Sequence, residues 1–208
     1  MLEPLWRQLR ERLSAKHLTA GRAPSLSLRI PGSDAMWFGE ADDTVPRRIS
    51  WTGTSAEGSA AHMHGTVYAH REDVCAVAGA SGDFGLCLAD FGGILPGVFD
   101  EQVRHLGRMA SPVRDADELA PALRHGANVI LVQGQPLVLG TTGTRLVLNA
   151  ELFEKCAKAY VLAVACGETV KPLPWIVRHV ANGRLMKDQN RARARMRQGL
   201  LPEESKGY

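Results

Sequence analysis

The residue types best suited to chemistry follow a short apolar strand near the middle of the sequence. The strand is predicted over Val74–Ala78, and Gly79, Ser81 and Asp83 come directly after it. Glycine lets the backbone approach a ligand closely, a serine hydroxyl can hydrogen-bond a substrate carbonyl, and an aspartate can act as a general acid or base. The segment therefore predicts Gly79 as a ligand contact and Ser81 and Asp83 as catalytic residues. The alternative interpretation is a plain turn with an N-cap for the helix that follows.

Two histidines separated by one residue, His62 and His64, raise the question of a metal site. In a strand, positions i and i+2 point to the same side, so both side chains would be able to bind one ion. In a helix they lie about 200° apart, which prevents joint chelation. Apolar residues at helical spacing predict a helix over His62–His70. We therefore expect no metal at this pair and a packing role for His64.

The composition is that of an ordinary globular protein of 208 residues, enough for one domain with a substantial core. Hydrophobic residues make up 45%, charged residues make up 23%, and the net charge of +3 is small. Because the sequence has no long apolar span and no strongly basic stretch with aromatic residues, we expect neither a nucleic-acid nor a membrane partner. The four cysteines form no C-x-x-C pair, which is typical of free thiols in a reducing compartment, so we expect a cytoplasmic protein.

Hydrophobic periodicity predicts alternating helices and strands, which is typical of an α/β fold. The expected helices are Leu2–Leu18, His62–His70, Phe99–Leu106, Asp115–Arg124, Leu146–Cys166 and a terminal helix that starts at Trp175–Val180. The expected strands are Ser25–Ile30, Ala35–Phe38, Val74–Ala78, Ile94–Val98, Val129–Val132 and Leu137–Leu139. We expect a loop over Gly39–Gly58, and a basic segment, Lys187–Arg197, that frays into a polar tail.

Four motifs occur in an order that resembles the class II aldolase/adducin family. They are the strand SLSLR at Ser25–Arg29, a central stretch from His64 and Tyr68 through REDVCAV to FDEQVRHLG at Phe99–Gly107, the strand pair NVILVQGQPLVLG at Asn128–Gly140, and the helix LFEKCAKAYVLAVACG at Leu152–Gly167. The resemblance covers residues 5–167, which is most of the chain.

This resemblance implies a three-layer α/β/α class II aldolase-like fold with a central, mostly antiparallel sheet. It assigns the aldolase-like domain to residues 1–170 and leaves residues 171–208 as a C-terminal helical extension with a polar tail. It also implies a homotetramer with pockets between subunits. The implied activity is that of an aldehyde-lyase, an aldolase acting on a small hydroxy-carbonyl or sugar-like compound.

The residues at the family's metal and acid–base positions depart from the family pattern. Family members bind a divalent metal, usually zinc, through an H-x-H pair, whose positions fall on Gly79 and Ser81. A third family histidine falls on Gln135, and the family's catalytic carboxylate falls on Ala60. None of these side chains supplies the nitrogen, thiolate or carboxylate donor that zinc requires. We therefore expect no metal and no cofactor.

The same resemblance identifies Ser25, Ser27, Gly79 and Gln135 as candidate ligand-binding residues. The two serines lie on the strand that contacts an anion in the family, and a glutamine can donate or accept a hydrogen bond. The alternative is that the serine face of the strand is solvated and that Gln135 only fills the space of a lost histidine. Two functions stay open: an aldolase-like lyase whose metal site is lost, and a catalytically inactive ligand-binding or oligomeric scaffold like the adducin heads.

Overall fold

A six-stranded antiparallel sheet forms the centre of the computed structural model, which describes residues 2–52 and 56–204. The strands are β1 (Ser25–Arg29), β2 (Ala35–Glu40), β3 (Arg47–Ser50), β4 (Ala76–Gly79), β5 (Val129–Val132) and β6 (Gln135–Gly140). They are ordered β3-β2-β1-β4-β6-β5, and every neighbouring pair is antiparallel. In this register Ser25 of β1 lies beside Gly79 of β4, which in turn lies beside Leu137 of β6.

Seven α-helices accompany the sheet in the described ranges. They are α1 (Leu2–Ala15), α2 (Ala60–His70), α3 (Asp83–Cys87), α4 (Asp100–Leu106), α5 (Ala116–Ala122), α6 (Gly143–Ala165) and α7 (Trp175–Arg197). Three of them are preceded by an N-cap residue whose side chain accepts a hydrogen bond from a backbone N–H group of the first turn. These caps are Ser59 for α2, Asp115 for α5 and Thr142 for α6.

The helices cover both faces of the sheet, so that the fold has three layers. One apolar core lies between the sheet and helices α1 and α6, with Trp6, Leu28 and Phe153 fully buried. The second core lies between the opposite face and helices α2 and α5, and it includes Val67 and Leu119. Because successive strand residues face opposite sides, the central strands β1, β4, β5 and β6 provide the side chains that face the two cores. The predicted three-layer α/β fold with a mostly antiparallel sheet is confirmed.

Two predictions about strands are wrong. The expected loop at 39–58 contains β3, a mostly exposed edge strand whose only half-buried residue is Ile49, so it shows no alternating apolar pattern. The expected strand at Ile94–Val98 is absent from the described sheet. Gly92 and Gly93 adopt positive φ angles before it, Pro96 offers no backbone donor, and Gly97 accepts a hydrogen bond from the backbone of Leu173 instead.

Two predictions about helix ends are also wrong. Helix α1 ends at Ala15 rather than near Leu18, because His17 adopts a left-handed conformation with φ 55°. The expected polar tail at 187–197 belongs to α7, which remains helical to Arg197. Its buried residues recur every three or four positions and form one face, composed of Ala181, Leu185, Gln189, Ala192 and Met196.

Charged and amide groups fasten α7 to the body of the protein. Arg104 on α4 forms an ion pair of 2.5 Å with Asp188, and Arg197 forms one of 2.7 Å with Glu72. The side-chain amide of Gln189 donates to the carbonyl of Gly126 at 2.7 Å. None of the helices in the described residues is long and apolar enough to cross a membrane.

Candidate functional site

A cavity of about 140 Å³ opens where the first residues of β1 and β6 meet the last residue of β4. The antiparallel register brings Ser25, Gly79 and Leu137 together at this end of the sheet. The segment Ala20–Pro24 and the start of α2 complete the wall, which is mainly apolar. Three of the four predicted ligand-binding residues, Ser25, Gly79 and Gln135, line this cavity, although they are distant in sequence.

Ser27, the fourth predicted ligand-binding residue, lies one layer behind the cavity. Its hydroxyl contacts Nδ1 of His64 at 2.8 Å, and Nε2 of the same ring lies 3.2 Å from the hydroxyl of Ser25. Ser27 is fully buried and Ser25 is 5% exposed. The idea of a solvated serine face is therefore wrong, because α2 packs on that face of β1 and its polar side chains satisfy the serines.

His64 and Tyr68 are the polar residues on α2 that complete this arrangement. They lie four positions apart, so that they share one helix face, and the hydroxyl of Tyr68 lies 2.8 Å from that of Ser27. Phe38 meets the imidazole edge-on, with ring centres 5.4 Å apart. Sequence analysis assigned His64 a packing role and missed its position in the cavity wall. The sequence did carry a signal. His64 and Tyr68 are four residues apart on a predicted helix, and Ser25 and Ser27 are two residues apart on a predicted strand, so each pair shares one face of its element.

Burial keeps the ionisable members of this cluster uncharged. Removal from water lowers the pKa of His64 from 6.5 to about 3, because no carboxylate compensates for the lost solvation of the charged ring. Burial likewise raises the pKa of Tyr68 well above its usual value. At neutral pH the imidazole is therefore a neutral group that donates through one nitrogen and accepts through the other.

Gln135 fixes the opposite wall of the cavity. Its side-chain oxygen accepts a hydrogen bond of 3.0 Å from the backbone of Arg22, which leaves the NH₂ group without a partner in the described part of the chain. Gly21 permits this contact, because a Cβ at that position would lie 2.6 Å from the same oxygen and its φ is +118°. Gln135 begins strand β6, whereas the turn that precedes it is formed by Gln133 and Gly134, both with positive φ.

The two predicted catalytic residues are placed outside this cavity wall. Ser81 is buried and donates to the neighbouring carbonyl of Gly82 at 2.9 Å, and Asp83 is exposed in the first turn of α3. The amides at this turn are engaged by Glu154 of α6. Its carboxylate accepts hydrogen bonds of 2.9 to 3.1 Å from the backbone N–H groups of residues 82, 84 and 85. The backbone N–H groups of this turn are therefore already occupied by the side chain of Glu154 and are not open to a ligand.

The donor set of the cavity does not fit a catalytic zinc ion. Such an ion takes three nitrogen, sulfur or carboxylate ligands from the protein. The polar residues that line the cavity are Arg22, Ser25, His64, Gln133 and Gln135, and of these His64 alone offers such a ligand. Both ring nitrogens of His64 already face serine hydroxyls. Among the residues that the structure describes, no three His, Cys, Asp or Glu side chains are grouped closely enough to hold a metal.

Several solved structures share this fold at low sequence identity. YgbL from Escherichia coli, a candidate aldolase/epimerase/decarboxylase, has a TM-score of 0.71 at 16% identity, over 87% of this chain and 97% of that chain. An L-fuculose 1-phosphate aldolase has a TM-score of 0.71 at 21% identity, over 87% and 94%. An aldolase II superfamily protein from Pseudomonas syringae has a TM-score of 0.66 at 16% identity, over 95% and 93%.

Two comparisons that start from the sequence, with family models and with curated proteins, give no match. No protein-family model matches it, and no curated protein matches it at a significant level. The structural likeness covers most of both chains. The chain therefore has the class II aldolase-like fold.

Proposed function

We propose that this protein binds a small hydroxy-carbonyl compound in the cavity between β1, β4 and β6 and cleaves it as an aldolase-type lyase. The observation that carries the proposal is the grouping of Ser25, His64 and Gln135 in a mainly apolar cavity, on a fold shared with a named aldolase. Small-molecule sites typically combine an apolar wall with a few converging polar groups. The cavity volume of about 140 Å³ is comparable to the engineered cavity of about 150 Å³ that binds benzene.

Aldol cleavage places specific demands on such a site. The proton of the ligand hydroxyl must be removed, and we assign it to the Ser25 oxygen as Ser25 passes its own proton to His64 Nε2, 3.2 Å away. Negative charge develops on the carbonyl oxygen as the carbon–carbon bond breaks. Donors directed at that oxygen stabilise the transition state. Ser25 supplies a hydroxyl at the cavity wall, and Gln135 supplies an NH₂ group. The N-terminus of α2 begins at Ala60, also in the wall, and its backbone dipole favours negative charge there.

The proposed activity is testable with dihydroxyacetone as the probe. Exchange of its α-protons for deuterium, followed by proton NMR in D₂O, reports formation of the enediol(ate) that aldol chemistry requires. We expect exchange above the buffer rate, unchanged by EDTA because the cavity does not fit zinc. We expect the Ser25→Ala variant to lose about 10²-fold in rate, the typical effect of removing one such donor.

A matched control separates the site from general effects of a lost hydroxyl. Ser14 is exposed on α1 and has no contact with the cavity, so the Ser14→Ala variant should keep the full exchange rate. Exchange that is equal in the wild type, in both variants and in buffer alone would contradict the proposal. Exchange that disappears with EDTA and returns with zinc would contradict its metal-independent form.

We also propose that the chain forms a homo-oligomer, with the tetramer as our expectation from the aldolase resemblance. Support comes from exposed apolar side chains at the start of α7, where Trp175 is 70% exposed and Ile176 and Val180 are more than half exposed. Light scattering coupled to size-exclusion chromatography tests this expectation directly, and a single monomer peak would contradict it. All four cysteines are free thiols, which supports the expected cytoplasmic location.

A further inference from the structure

Four uncharged groups form a continuous chain of hydrogen bonds that runs from the cavity into the interior. The Ser25 hydroxyl lies 3.2 Å from His64 Nε2, and His64 Nδ1 lies 2.8 Å from the Ser27 hydroxyl. The Ser27 hydroxyl lies 2.8 Å from the Tyr68 hydroxyl. Tyr68 also lies within 3.2 Å of the carbonyl of Ser27 and 3.4 Å of that of Cys75. Ser25 and His64 line the cavity, whereas Ser27 and Tyr68 lie behind them.

The chain can be satisfied with its donors directed inward. In this arrangement the Ser25 hydroxyl donates to His64 Nε2, and the proton of the ring sits on Nδ1 and is donated to Ser27. Ser27 then donates to the Tyr68 oxygen, and Tyr68 donates to a backbone carbonyl. Each donor has an acceptor, and the oxygen of Ser25 remains free to accept a hydrogen bond from a ligand hydroxyl.

The chain can equally be satisfied with its donors directed outward. Tyr68 donates to Ser27, Ser27 donates to His64 Nδ1, and the ring proton sits on Nε2 and is donated to Ser25. The Ser25 proton then points into the cavity, where a carbonyl oxygen can accept it. The two arrangements contain the same number of protons and differ by three hydroxyl rotations and one imidazole tautomer, so no net acid or base is consumed. Exchange of the tautomer requires one ring nitrogen to take up a proton and the other to release one, with water as the donor and the acceptor.

We infer that Ser25, His64, Ser27 and Tyr68 form a reversible hydrogen-bond relay that presents the Ser25 hydroxyl as a donor to a ligand carbonyl and as an acceptor to a ligand hydroxyl. This inference rests on the proposed function and deepens it, because a hydroxy-carbonyl ligand carries both groups. His64 is then a positioning residue that acts through Ser25, and the buried Ser27 and Tyr68 are the inner partners that allow either tautomer.

Burial supports the relay by keeping it neutral. The pKa of His64 falls to about 3 and that of Tyr68 rises, so neither ring changes charge near neutral pH. A charged imidazolium would donate at both nitrogens, so that Ser25 would always accept a hydrogen bond from Nε2 and could never donate to it. The edge-on contact with Phe38 also restrains the imidazole plane, so that both ring nitrogens keep facing the serine hydroxyls in either arrangement.

The relay is testable by the ¹⁵N spectrum of the His64 imidazole, assigned from its absence in the His64→Gln variant. Acetone and 2-propanol serve as a matched pair of probes. They are nearly equal in size, but acetone carries a carbonyl where 2-propanol carries a hydroxyl. Acetone can only accept a hydrogen bond, so saturation with it should shift the tautomer population towards Nε2–H. The shift with 2-propanol should be smaller, because its hydroxyl can bond to either form.

The amide signals of Gly79 and Leu137 report occupancy of the cavity independently of the tautomer. If acetone shifts these amides while the tautomer ratio stays fixed, the relay is overturned. The proposed lyase function is not affected by that result, because the deuterium exchange of dihydroxyacetone tests it separately. If acetone leaves the amides unshifted at the highest soluble concentration, the relay is overturned as well. The Ser27→Ala variant should remove the tautomer response to acetone, whereas Ser14→Ala should preserve it.

Discussion

Burial of a neutral His64 predicts that the stability of this protein depends on pH in a defined window. The folded protein holds the imidazole uncharged because its pKa lies at about 3, whereas the unfolded chain has the ordinary value near 6.5. Below pH 6.5 the unfolded state therefore binds a proton that the folded state does not bind. Stability rises with pH wherever the unfolded state holds more protons. The contribution is thus fully retained above pH 7 and is lost progressively as the pH falls from 6.5 towards 3.

The size of the effect follows from the two pKa values. Each pH unit below 6.5 costs about 1.4 kcal/mol, so that a fall from pH 8 to pH 5 should cost about 2 kcal/mol from this residue alone. His64 is fully buried, which means that solvent does not screen the effect. Burial, with Arg145 and Arg104 nearby, also lowers the pKa of His105 to about 4. This second contribution is present in wild type and variant alike and cancels in their difference.

The measurement is urea unfolding of the wild type and of His64→Gln at pH 8 and pH 5, followed by tryptophan fluorescence. Glutamine keeps a donor and an acceptor for the two serines but carries no titratable proton. We expect the wild type to lose about 2 kcal/mol more than the variant between the two pH values, whatever their difference at pH 8. His70→Gln, a change at an exposed histidine of the same helix, should behave as the wild type. Equal losses in wild type and His64→Gln would refute the reasoning.

Three further substitutions test the packing around the site. Asp73→Ala should cost about 3–5 kcal/mol in urea unfolding, because it leaves the guanidinium of Arg71 buried without its two carboxylate bonds of 2.7 and 2.8 Å; a loss below about 1 kcal/mol would contradict this. Glu154→Ala should cost about 1–3 kcal/mol by leaving three backbone amides unpartnered, and it should raise their hydrogen-exchange rates; unchanged exchange would count against the contact. Gly21→Ala should lower the melting temperature and weaken dihydroxyacetone binding in NMR titration, because its Cβ would displace Gln135; unchanged binding would show that this wall is not needed.

The sequence by itself determined the regular elements with apolar periodicity and, through the order of its motifs, the fold. Helices such as α2 and α6 are visible because their apolar residues recur at helical spacing. Strands β5 and β6 are visible as short continuous apolar runs on either side of a glycine-containing turn. Ser25, Gly79 and Gln135 were also identified from the sequence as ligand-binding candidates, since each falls on a matched motif. Edge strand β3 was missed because an exposed strand has no such period.

Only the tertiary structure decided which polar residues are buried and what they contact. Ser25 and Ser27 alternate with leucines, a pattern that fits a solvated strand face as well as a covered one, and the packing of α2 over β1 settles the choice. The same holds for the arginine-rich end of the chain, which became a packed helix because its buried face meets α4. Local spacing fixes which side chains share a face, whereas burial depends on the element that packs against that face, and that element lies far away in the sequence.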